Sequence, residues 1–482
     1  MNRFEGIDKA RANYQKNRMV HWDEVACKMD AWKGLGDYYH KRVAEVYKFL
    51  IPKGQRVIEI GCGRGDLLAG LKPARGVGVD FSAEMLRRAG ECHPEIDFIQ
   101  ADAHVLNLQE RFDYIILSDI MNDLWDVQAV LLEVRKLSYS HTRIIMNSYS
   151  QLWELPLAIA RKLGLAKPML YQNWLTVDDI AGLLTLADME PIRRWEEILC
   201  PLPIPFLDRF LNRFIVKLWP FKCLALTNFV VAKPIYFLRE FSQEPSVSII
   251  IPARNEAGNI PVIFERVPEM GRSTELIFVE GHSTDGTRKA IEKAITTYPH
   301  RRAGLFPQTG MGKGDAVRLG FSQASGDILM ILDADLTVSP EDLPRFFDVL
   351  RSGKAEFVNG VRLVYPMEKQ AMRFANLIGN KFFSLSFTWL LGQPIKDTLC
   401  GTKAMWKSDY ERIATNRSYF GDFDPFGDFD LLFGAAKLNL KISEVPIRYR
   451  ERTYGSTNIS RWRHGLLLLK MVLFAIRRIK FI

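Results

Sequence analysis

Two carboxylates stand one residue apart in the second half of the chain, directly after a strongly apolar run. The run covers residues 328–332, and Asp333 and Asp335 follow it with a single alanine between them. Two carboxylates at a strand end can hold a divalent cation directly or through water, and Mg²⁺ favours oxygen ligands and diphosphates. The spacing therefore predicts a site for Mg²⁺ or Mn²⁺, against the alternative of an acidic turn that binds nothing.

A glycine-rich turn in the first half of the chain also follows an apolar run. Residues 56–60 contain Glu59, and Gly61, Gly63 and Gly65 come next, before a helix predicted to begin near residue 66. Glycines at such a position let the backbone turn tightly and approach a ligand closely. The pattern predicts a nucleotide-type pocket, and the alternative is a glycine turn that binds nothing.

Two further carboxylates end the next two predicted strands of the first half. Asp80 lies about 20 residues beyond the glycine turn, where a carboxylate can accept both hydrogen bonds of a ribose diol. Asp102, followed by Ala103, ends the third predicted strand and could meet an adenine amino group. Three matching features at three successive strand ends indicate a binding site more strongly than the glycines alone.

Short apolar strands alternate with helical stretches in both halves, which predicts α/β domains with mostly parallel sheets covered by helices. A chain of 482 residues is too long for one core. The proline-broken segment 234–245 is predicted to link a first domain, 1–233, to a second, 246–482. The predicted strands cover residues 56–60, 76–79, 96–100, 114–117, 143–146 and 224–231, then 247–251, 275–279 and 328–332.

The glycine turn with its acidic residue, followed by Asp80 and Asp102, resembles the class I S-adenosylmethionine-dependent methyltransferases over about residues 30–233. The resemblance implies a Rossmann-like, doubly wound domain with S-adenosylmethionine as its cofactor. It also implies roles for the motif residues. Gly61, Gly63 and Gly65 line the methionine part of the cofactor, Asp80 holds its ribose, and Asp102 and Ala103 border its adenine.

Asp119 follows the fourth predicted strand, where this family places residues near the transferred methyl group. Methyl transfer to oxygen or nitrogen needs positioning and in some cases a base. Asp119 is the candidate base, and His141 is a weaker one. The methyl acceptor is open, and so is the alternative that the domain binds the cofactor without turnover.

Polar turns follow the predicted strands of the second half as well. Pro252 and Glu256 come after residues 247–251, and Glu280 comes after residues 275–279. Lys313 and Asp315 lie in a glycine-rich loop whose spacing is not that of a P-loop. Together with the two carboxylates at 333 and 335, these turns predict one more nucleotide site.

This second set resembles the family-two glycosyltransferases of the GT-A fold, over about residues 246–460. It is most similar to the branch that moves a sugar onto a polyprenyl phosphate, such as the dolichol-phosphate mannose synthases. The resemblance implies an inverting, metal-dependent transfer from a nucleotide-sugar. By residue it implies that Pro252, Glu256 and Glu280 border the base and ribose, that Lys313 and Asp315 lie near the nucleotide-sugar, and that Asp333 and Asp335 hold the metal.

The same resemblance assigns Arg362 and Arg373 to the acceptor phosphate, which an arginine fork can bind through two hydrogen bonds. Solvated surface arginines are the alternative. Asp428 and Asp430 are candidate general bases for an acceptor hydroxyl of a glycan or glycolipid. Because a lipid phosphate is already ionised, it would need no strong base, and both acceptor classes stay open.

The formal net charge of +9 favours phosphate-rich ligands and anionic lipid. No aromatic-rich RNA-binding signature accompanies the basic C-terminus, so nucleic acid is not an expected partner. The six cysteines form no CxxC pair, and no run reaches the roughly 20 apolar residues of a transmembrane helix. A cytoplasmic enzyme is expected, with peripheral attachment to the inner face of the cell membrane as an option.

Two amphipathic stretches have open roles. Residues 207–218 carry apolar side chains at helical spacing with charged ones opposite, which predicts a helix covering a sheet or, alternatively, a membrane or substrate lid. Residues 466–476 with their basic flank could pack in the core as a last helix or lie in a membrane interface.

Overall fold

The computed structural model divides into two compact units, residues Met1–Tyr236 with Phe481–Ile482, and Phe237–Lys480. The division falls inside the segment predicted as the linker. None of the helices within the described ranges has both the length and the hydropathy that a bilayer-spanning segment needs. The structure describes residues 3–28, 36–162, 169–235, 243–362, 374–419, 428–450, 452, 454 and 461–481.

The first domain is built on a seven-stranded sheet in the order β3-β2-β1-β4-β5-β7-β6. The first five strands pair in parallel, and β7 pairs antiparallel with both β5 and β6. The strand order reverses between β1 and β4, and ligands of open α/β sheets bind at such a point. The strands are β1 (Arg56–Ile60), β2 (Arg75–Asp80), β3 (Asp97–Gln100), β4 (Phe112–Ser118), β5 (Ser138–Tyr149), β6 (Met189–Glu197) and β7 (Thr227–Pro234).

Helices cover both faces of this sheet, and two hydrophobic clusters lie between the layers. Both faces of β1 and β4 are buried, as expected for central parallel strands. The helices are α1 (Arg3–Lys28), α2 (Gly36–Leu50), α3 (Asp66–Gly70), α4 (Ala83–Cys92), α5 (Val127–Lys136), α6 (Glu154–Lys162), α7 (Val177–Leu186) and α8 (Leu207–Arg213), with 3-10 turns at Gln151–Trp153, Ile215–Lys217 and Phe221–Leu224.

The second domain contains a seven-stranded mixed sheet in the order β10-β9-β8-β11-β13-β12-β14. Strands β10, β9, β8 and β11 run parallel, while β13 is antiparallel to both of its neighbours. The strands are β8 (Val247–Ala253), β9 (Thr274–Glu280), β10 (Arg302–Pro307), β11 (Ile328–Ile331), β12 (Phe357–Val361), β13 (Lys403–Trp406) and β14 (Ile442–Pro446).

The last helix of this domain, α16, packs one face into the core. Leu468, Met471 and Val472 are buried there, whereas Leu466 and Leu473 are exposed. The core-packed alternative for residues 466–476 therefore describes one side of the helix. The helices are α9 (Ile260–Arg266), α10 (Thr287–Thr297), α11 (Lys313–Gln323), α12 (Leu343–Arg351), α13 (Phe374–Leu391), α14 (Lys407–Thr415), α15 (Asp428–Lys437) and α16 (Arg461–Ala475), with 3-10 turns at Pro340–Asp342 and Arg417–Tyr419 and a π turn at Ile476–Lys480.

Candidate functional sites

The glycine turn of the first domain serves the fold at two positions and is open at a third. Gly61, Gly63 and Gly65 all have positive φ, at 75°, 51° and 72°. A Cβ on Gly61 would lie 2.6 Å from Ile120, and one on Gly65 would lie 2.6 Å from Phe98. A Cβ on Gly63 would meet no described atom within 4 Å. The backbone at Gly63 is therefore the part of the turn that a ligand can approach.

Glu59, at the end of β1, is a buried acid with an unused acceptor. Its side chain is 3% exposed, and burial raises its pKa well above the ordinary value although the backbone N–H of Leu68 opposes the shift. Its Oε2 is buried and has no hydrogen-bond partner among the described residues. Because buried polar atoms are normally paired, this oxygen fits a donor group of a bound cofactor.

Asp80, at the end of β2, joins that strand to the glycine turn. Its Oδ2 accepts the backbone N–H of Gly63 at 2.9 Å, and its Oδ1 accepts that of Ser82 at 2.9 Å. Burial raises the pKa of Asp80, and these backbone hydrogen bonds limit the rise. The glycine turn and Asp80, the carboxylate predicted to hold the ribose, are thus neighbours.

Asp102 is held from two sides. Its Oδ1 accepts the backbone N–H of His104 at 3.0 Å and the ring Nδ1 at 2.7 Å, and its Oδ2 accepts the amide of Gln15 on α1. Since His104 Nε2 accepts the backbone N–H of Asp126 at 3.1 Å, the ring proton is assigned to Nδ1. Burial raises the pKa of Asp102, but the hydrogen bonds from His104 outweigh it and lower the pKa. Ala103 is buried beside this pair.

Asp119, after β4, lies in a polar cluster that the sequence did not reveal. Its backbone φ is 57°, and its Oδ1 accepts the hydroxyl of Tyr39 at 2.7 Å and the amide of Asn147 at 2.6 Å. Burial raises the pKa of Asp119 to about 7, against the effect of these two hydrogen bonds. The ring of Tyr149 lies 5.6 Å from that of Tyr39. A carboxylate with this pKa can take a proton near neutral pH.

His141, the weaker candidate base, lies elsewhere. It stands near the start of β5 and pairs with Asp113 at the start of β4, with 3.1 Å between Nε2 and Oδ1. These strands run parallel to β1, so His141 is at the sheet edge opposite the glycine turn.

In the second domain, the turns after β8 and β9 hold each other. The backbone N–H of Glu256 donates to Thr287 Oγ1 at 2.9 Å, and Asn259 donates to Glu256 Oε2 at 2.7 Å. Glu280 Oε1 accepts the backbone N–H of Ser283 at 2.6 Å. Pro252, which precedes the first turn, lies within β8 beside its neighbour strand β9. Burial raises the pKa of Glu256, and the charge of Arg452 opposes the rise.

Both carboxylates after β11 face a cationic side chain. Asp333 Oδ1 lies 2.6 Å from Lys313 Nζ, and Asp335 Oδ2 lies 2.7 Å from Arg452 Nη2. Arg452 Nη1 also lies 3.5 Å from Glu256 Oε1. Lys313 with Asp333 forms one ion pair, and Glu256, Arg452 and Asp335 form a second group next to it along the chain; we call these five residues the acid–base cluster.

The acid–base cluster could hold a metal ion only if water or a substrate supplied further ligands. Among the described residues, no group of three or more His, Cys, Asp or Glu side chains is placed to hold a metal. Asp333 and Asp335 can supply two oxygen ligands, and water or diphosphate oxygens would have to supply the rest. Mg²⁺ is commonly bound in this way, by one or two carboxylates and the phosphates of a substrate. The donor set thus fits a substrate-completed cation site.

Asp315, on α11, is fixed by a residue that sequence reasoning missed. Gln308, directly after β10, donates to Asp315 Oδ2 at 2.9 Å and to the carbonyl of Gly312 at 2.8 Å. The loop that carries Lys313 is thereby tied to the end of β10. Strand β10 is partly exposed and was not predicted, so nothing local marked Gln308.

Arg362, predicted to bind the acceptor phosphate, is largely committed to another residue. Its Nε and Nη2 donate to the two oxygens of Asp397 at 2.7 and 2.8 Å. Asp397 is buried, and burial raises its pKa, but the charge of Arg362 together with the hydrogen bonds from Arg362 and Leu399 lowers it overall. Two of the five N–H donors of the Arg362 guanidinium are therefore engaged by Asp397. Arg373 lies outside the described residues.

Asp430, on α15, is 5% exposed and accepts the Nε of Arg417 at 2.8 Å. The candidate base is therefore already engaged by a cation. The side chain of Asp428 lies outside the described residues.

The loop before α16 contributes two residues to the site. Arg452 belongs to the acid–base cluster, and the hydroxyl of Tyr454 lies 3.3 Å from Asp285 Oδ2, in the turn after β9. Tyr454 had no recognisable signal in the sequence, because the contact spans 169 residues.

Two family models match the chain. The one described as Glycosyl transferase family 2 matches residues 248–413, and the one described as a methyltransferase domain matches residues 51–184. Each match covers the strands that carry one of the two sites.

Two named relatives each match less than half of the chain. Glycosyltransferase AglJ of Haloferax volcanii is 30% identical over 222 residues, which is 46% of this chain and 68% of that protein. Polyprenol monophosphomannose synthase of Mycolicibacterium smegmatis is 28% identical over 218 residues, covering 44% of this chain and 80% of that protein. Among solved structures, an S-adenosylmethionine-dependent methyltransferase of Thermotoga maritima aligns with 45% of this chain and 99% of its own at 14% identity, with a TM-score of 0.36.

Proposed function

Because the chain belongs to the glycosyl transferase family 2 and also carries a methyltransferase domain, we propose that it is a bifunctional transferase. The second domain transfers a sugar from a nucleotide-sugar to a polyprenyl phosphate, with inversion at the anomeric carbon. The first domain transfers a methyl group from S-adenosylmethionine to an acceptor of undetermined chemistry. The enzyme acts on the cytoplasmic side of the cell membrane, where a polyprenyl phosphate and soluble donors meet.

The acid–base cluster is the observation that carries the sugar-transfer proposal. Asp333 and Asp335 each face a cation, Lys313 and Arg452 respectively. A metal–diphosphate group offers a partner to four of the five members, with the cation for Asp333 and Asp335 and the phosphate oxygens for Lys313 and Arg452. Donor binding then exchanges one set of ion pairs for another at these four partly buried side chains.

Within this proposal each residue of the cluster has a defined task. A bound Mg²⁺ or Mn²⁺ would stabilise the charge of the leaving nucleoside diphosphate. Lys313 and Arg452 bind diphosphate oxygens, while Glu256 and Glu280 border the base and ribose. Asp315 keeps the loop of Lys313 in place through its hydrogen bond with Gln308.

Two observations support a phosphate as the acceptor over a hydroxyl. A phosphate is already ionised and needs no base, and the carboxylate of Asp430 is engaged by Arg417. One relative of the second domain is named as a polyprenol monophosphomannose synthase. A glycan or glycolipid hydroxyl remains the second candidate acceptor.

For the first domain, the unpaired Oε2 of Glu59 and the open backbone at Gly63 support the binding of S-adenosylmethionine. Asp80 holds the ribose, and Asp102 with Ala103 borders the adenine. Asp119 takes the proton of the acceptor, since its pKa of about 7 leaves it ionised in part at neutral pH. Consumption of labelled S-adenosylmethionine with a cell lipid extract separates this reaction from a domain that only binds the cofactor.

A screen of nucleotide-sugars with two acceptors, polyprenyl phosphate and a glycolipid hydroxyl, tests the sugar transfer, with product masses as the readout. We expect a product heavier than polyprenyl phosphate by one sugar, formed with Mg²⁺ or Mn²⁺ and lost on chelation. Products from the hydroxyl acceptor alone, or undiminished turnover in a chelator, would contradict the proposed acceptor or the proposed metal.

A further inference from the structure

The segment 202–224 of the first domain carries an unusual concentration of exposed apolar side chains. Of the 27 exposed large hydrophobic residues in the described part of the chain, ten fall within these 23 residues. The exposed fraction is 90% at Phe206, 80% at Trp219 and 52% at Phe210. Single exposed apolar residues are ordinary, but a contiguous run of this size marks an interaction surface.

Three polar residues of the same segment point inward. Asp208, Asn212 and Lys217 are 7%, 1% and 7% exposed. Asn212 Oδ1 accepts the backbone N–H groups of Leu199 at 2.7 Å and Cys200 at 2.8 Å. This arrangement corrects the expectation that the apolar side of residues 207–218 covers the sheet with its charges outward. Many apolar side chains of the segment therefore face the solvent, while these three polar side chains are buried.

Buried ionic contacts hold the segment in this orientation. Lys217 Nζ pairs with Glu197 on β6, and both side chains are 5% exposed. The indole of Trp195 donates to the same carboxylate at 2.9 Å. Turning the segment over would bury its aromatic residues but would expose or orphan these groups, and breaking a buried ion pair is strongly destabilising.

The backbone of Phe206 is a second indication that the exposure of these rings is functional. Its φ is 67°, in a region that bulky residues rarely adopt, and its ring is the most exposed large apolar side chain of the segment. Backbone strain of this kind persists where surrounding structure enforces it and is concentrated at functional sites. The strained backbone presents an aromatic ring that contributes little to the domain's own core.

The patch extends beyond the segment. The indole of Trp153 donates to the carbonyl of Leu224 at 2.9 Å, which brings the start of α6 against the end of the segment. Leu152 and Leu155 there are 62% and 69% exposed. The apolar surface is therefore contributed by two separate stretches of the first domain.

The exposed charges of the segment have one sign. Arg209 and Arg213 are exposed, and Lys222 is partly exposed and lies 3.7 Å from Glu196 on β6, while the one acidic residue of the segment, Asp208, is buried. Tryptophan, phenylalanine and leucine interleaved with arginine and lysine are typical of elements that lie in a membrane interface. Basic residues at the headgroup level are attracted to anionic lipids. A bilayer therefore matches both the apolar surface and its charge.

We propose that the first domain docks on an anionic lipid bilayer through Phe206, Phe210, Trp219 and Phe221, which we call the aromatic face. The rings enter the headgroup region, and Arg209 and Lys222 contact lipid phosphates. This inference goes beyond the proposed reactions, because it holds whatever the methyl and sugar acceptors are.

Co-sedimentation of the full chain with vesicles tests the docking. The vesicles are phosphatidylcholine, alone or mixed with phosphatidylglycerol, and contain no polyprenyl phosphate. We expect binding to the mixed vesicles, and Phe206→Ser with Trp219→Ser should weaken it roughly tenfold per ring. Leu186→Ser, which removes a side chain that is 63% exposed on α7 of the same domain, should leave binding unchanged.

A charge variant keeps the test decisive even if the double serine variant misfolds. Arg209→Glu keeps the aromatic face and should lower binding to the mixed vesicles roughly fivefold or more, with little effect on phosphatidylcholine vesicles. Equal binding of native and double-serine proteins, no binding by the native chain, or no effect of the charge reversal would each overturn the proposal. A change of oligomeric state without loss of vesicle binding would instead assign the face to a second copy of this chain.

Sugar transfer to a detergent-dispersed acceptor, measured on the same variants, separates this docking from the proposed reaction. We expect that rate to be unchanged in the double serine variant. Loss of vesicle binding with normal transfer supports docking by the aromatic face, whereas absence of transfer in the native chain would count against the proposed function alone.

Discussion

Asp335 has two alternative partners, a cationic side chain and a metal ion. In the structure its Oδ2 lies 2.7 Å from Arg452, and in the proposed reaction it binds a divalent cation. Replacing it by asparagine keeps its shape but removes the charge. We expect Asp335→Asn to lower the rate of sugar transfer by roughly two to three orders of magnitude, the usual effect of losing one preorganised electrostatic group. Initial rates at saturating Mn²⁺ measure this.

Asp342 provides a matched control for that substitution. Its carboxylate also pairs with an arginine, at 3.0 Å from Arg345, and its side chain is 19% exposed against 16% for Asp335. It stands outside the acid–base cluster. Asp342→Asn should therefore leave the rate within about twofold of native, as is usual for substitutions away from reacting groups. Similar losses in both variants would point to a stability effect and refute the metal role.

Asp119 makes the stability of the first domain depend on pH. Its pKa in the folded protein is about 7, above the value of about 3.9 for an unperturbed aspartate. The folded state therefore holds this proton more tightly than the unfolded chain. The stability that the neutral acid contributes is present in full below pH about 4 and is lost as the pH rises to about 7.

The variant Asp119→Asn cannot ionise, yet its amide oxygen can still accept the hydrogen bonds of Tyr39 and Asn147. We expect its unfolding midpoint, relative to that of the native chain, to rise between pH about 4 and 7 and then stay constant. Asp178→Asn, at a carboxylate that is 87% exposed, should show no such pH-dependent difference. Parallel curves for native and Asp119→Asn proteins would mean that Asp119 titrates normally.

At the scale of elements, the glycine turn after β1 is constrained by packing as much as by ligand binding. Gly65 has a φ of 72°, and a Cβ there would lie 2.6 Å from Phe98 on β3. We expect Gly65→Ala to reduce the free energy of unfolding of the first domain by about 2–4 kcal/mol, from left-handed strain plus overpacking. Urea denaturation measures the change.

Gly90 is the control position, since it lies within α4 and a Cβ there would meet nothing within 4 Å. Gly90→Ala should be neutral or stabilise by up to about 1 kcal/mol, because alanine favours a helix interior over glycine. Equal effects at the two positions would show that the turn at Gly65 tolerates a side chain.

Helix α1 is tied to the first sheet by two specific hydrogen bonds. It donates from Gln15 to Asp102 and from the indole of Trp22 to Asp123 at 2.8 Å. Both acceptors follow strands of the first sheet at its carboxyl edge. The helix therefore borders the predicted adenine side of the cofactor site.

At the scale of the whole molecule, each site is built from residues of one compact unit only. A ligand that binds only the folded form of one unit stabilises that unit, by about 2.7 kcal/mol at a hundredfold excess over its Kd. We expect S-adenosylmethionine to raise one unfolding transition and a nucleotide-sugar with Mn²⁺ to raise another. Differential scanning calorimetry of the full chain measures both.

The variants described above make this test specific. Asp335→Asn should abolish only the shift caused by the nucleotide-sugar, and Gly65→Ala should weaken only the shift caused by S-adenosylmethionine. If either ligand raises both transitions equally, the two sites are coupled and do not act as separate units.

Strands made of continuous apolar runs were readable, because burial on both faces demands such runs. The interior strands β12 and β13, which contain Asn359 and Lys403, and the edge strand β14 were not predicted. Residues 56–60 and 247–251 were predicted as strands and form β1 and most of β8. Strand β6 was missed because it contains Arg193, Arg194 and three glutamates, as an edge strand can. Strand β10 was missed for a similar reason, being partly exposed at the other sheet's edge.

Local sequence determined which residues end the strands, and therefore which carboxylates and glycines could meet a ligand. Strand ends follow from short-range hydrophobic patterns, so Asp80, Asp119 and Asp335 could be identified without a structure. The partners of these residues could not be identified from local sequence. Tyr39, Arg452 and Gln308 reach these sites from distant elements, and only the packing of helices and loops on the sheets brings them there. Only the tertiary structure shows that Asp397 engages much of the Arg362 side chain. It also shows that segment 202–224 turns its rings outward, because the direction of a side chain depends on which partners the rest of the chain offers to polar groups.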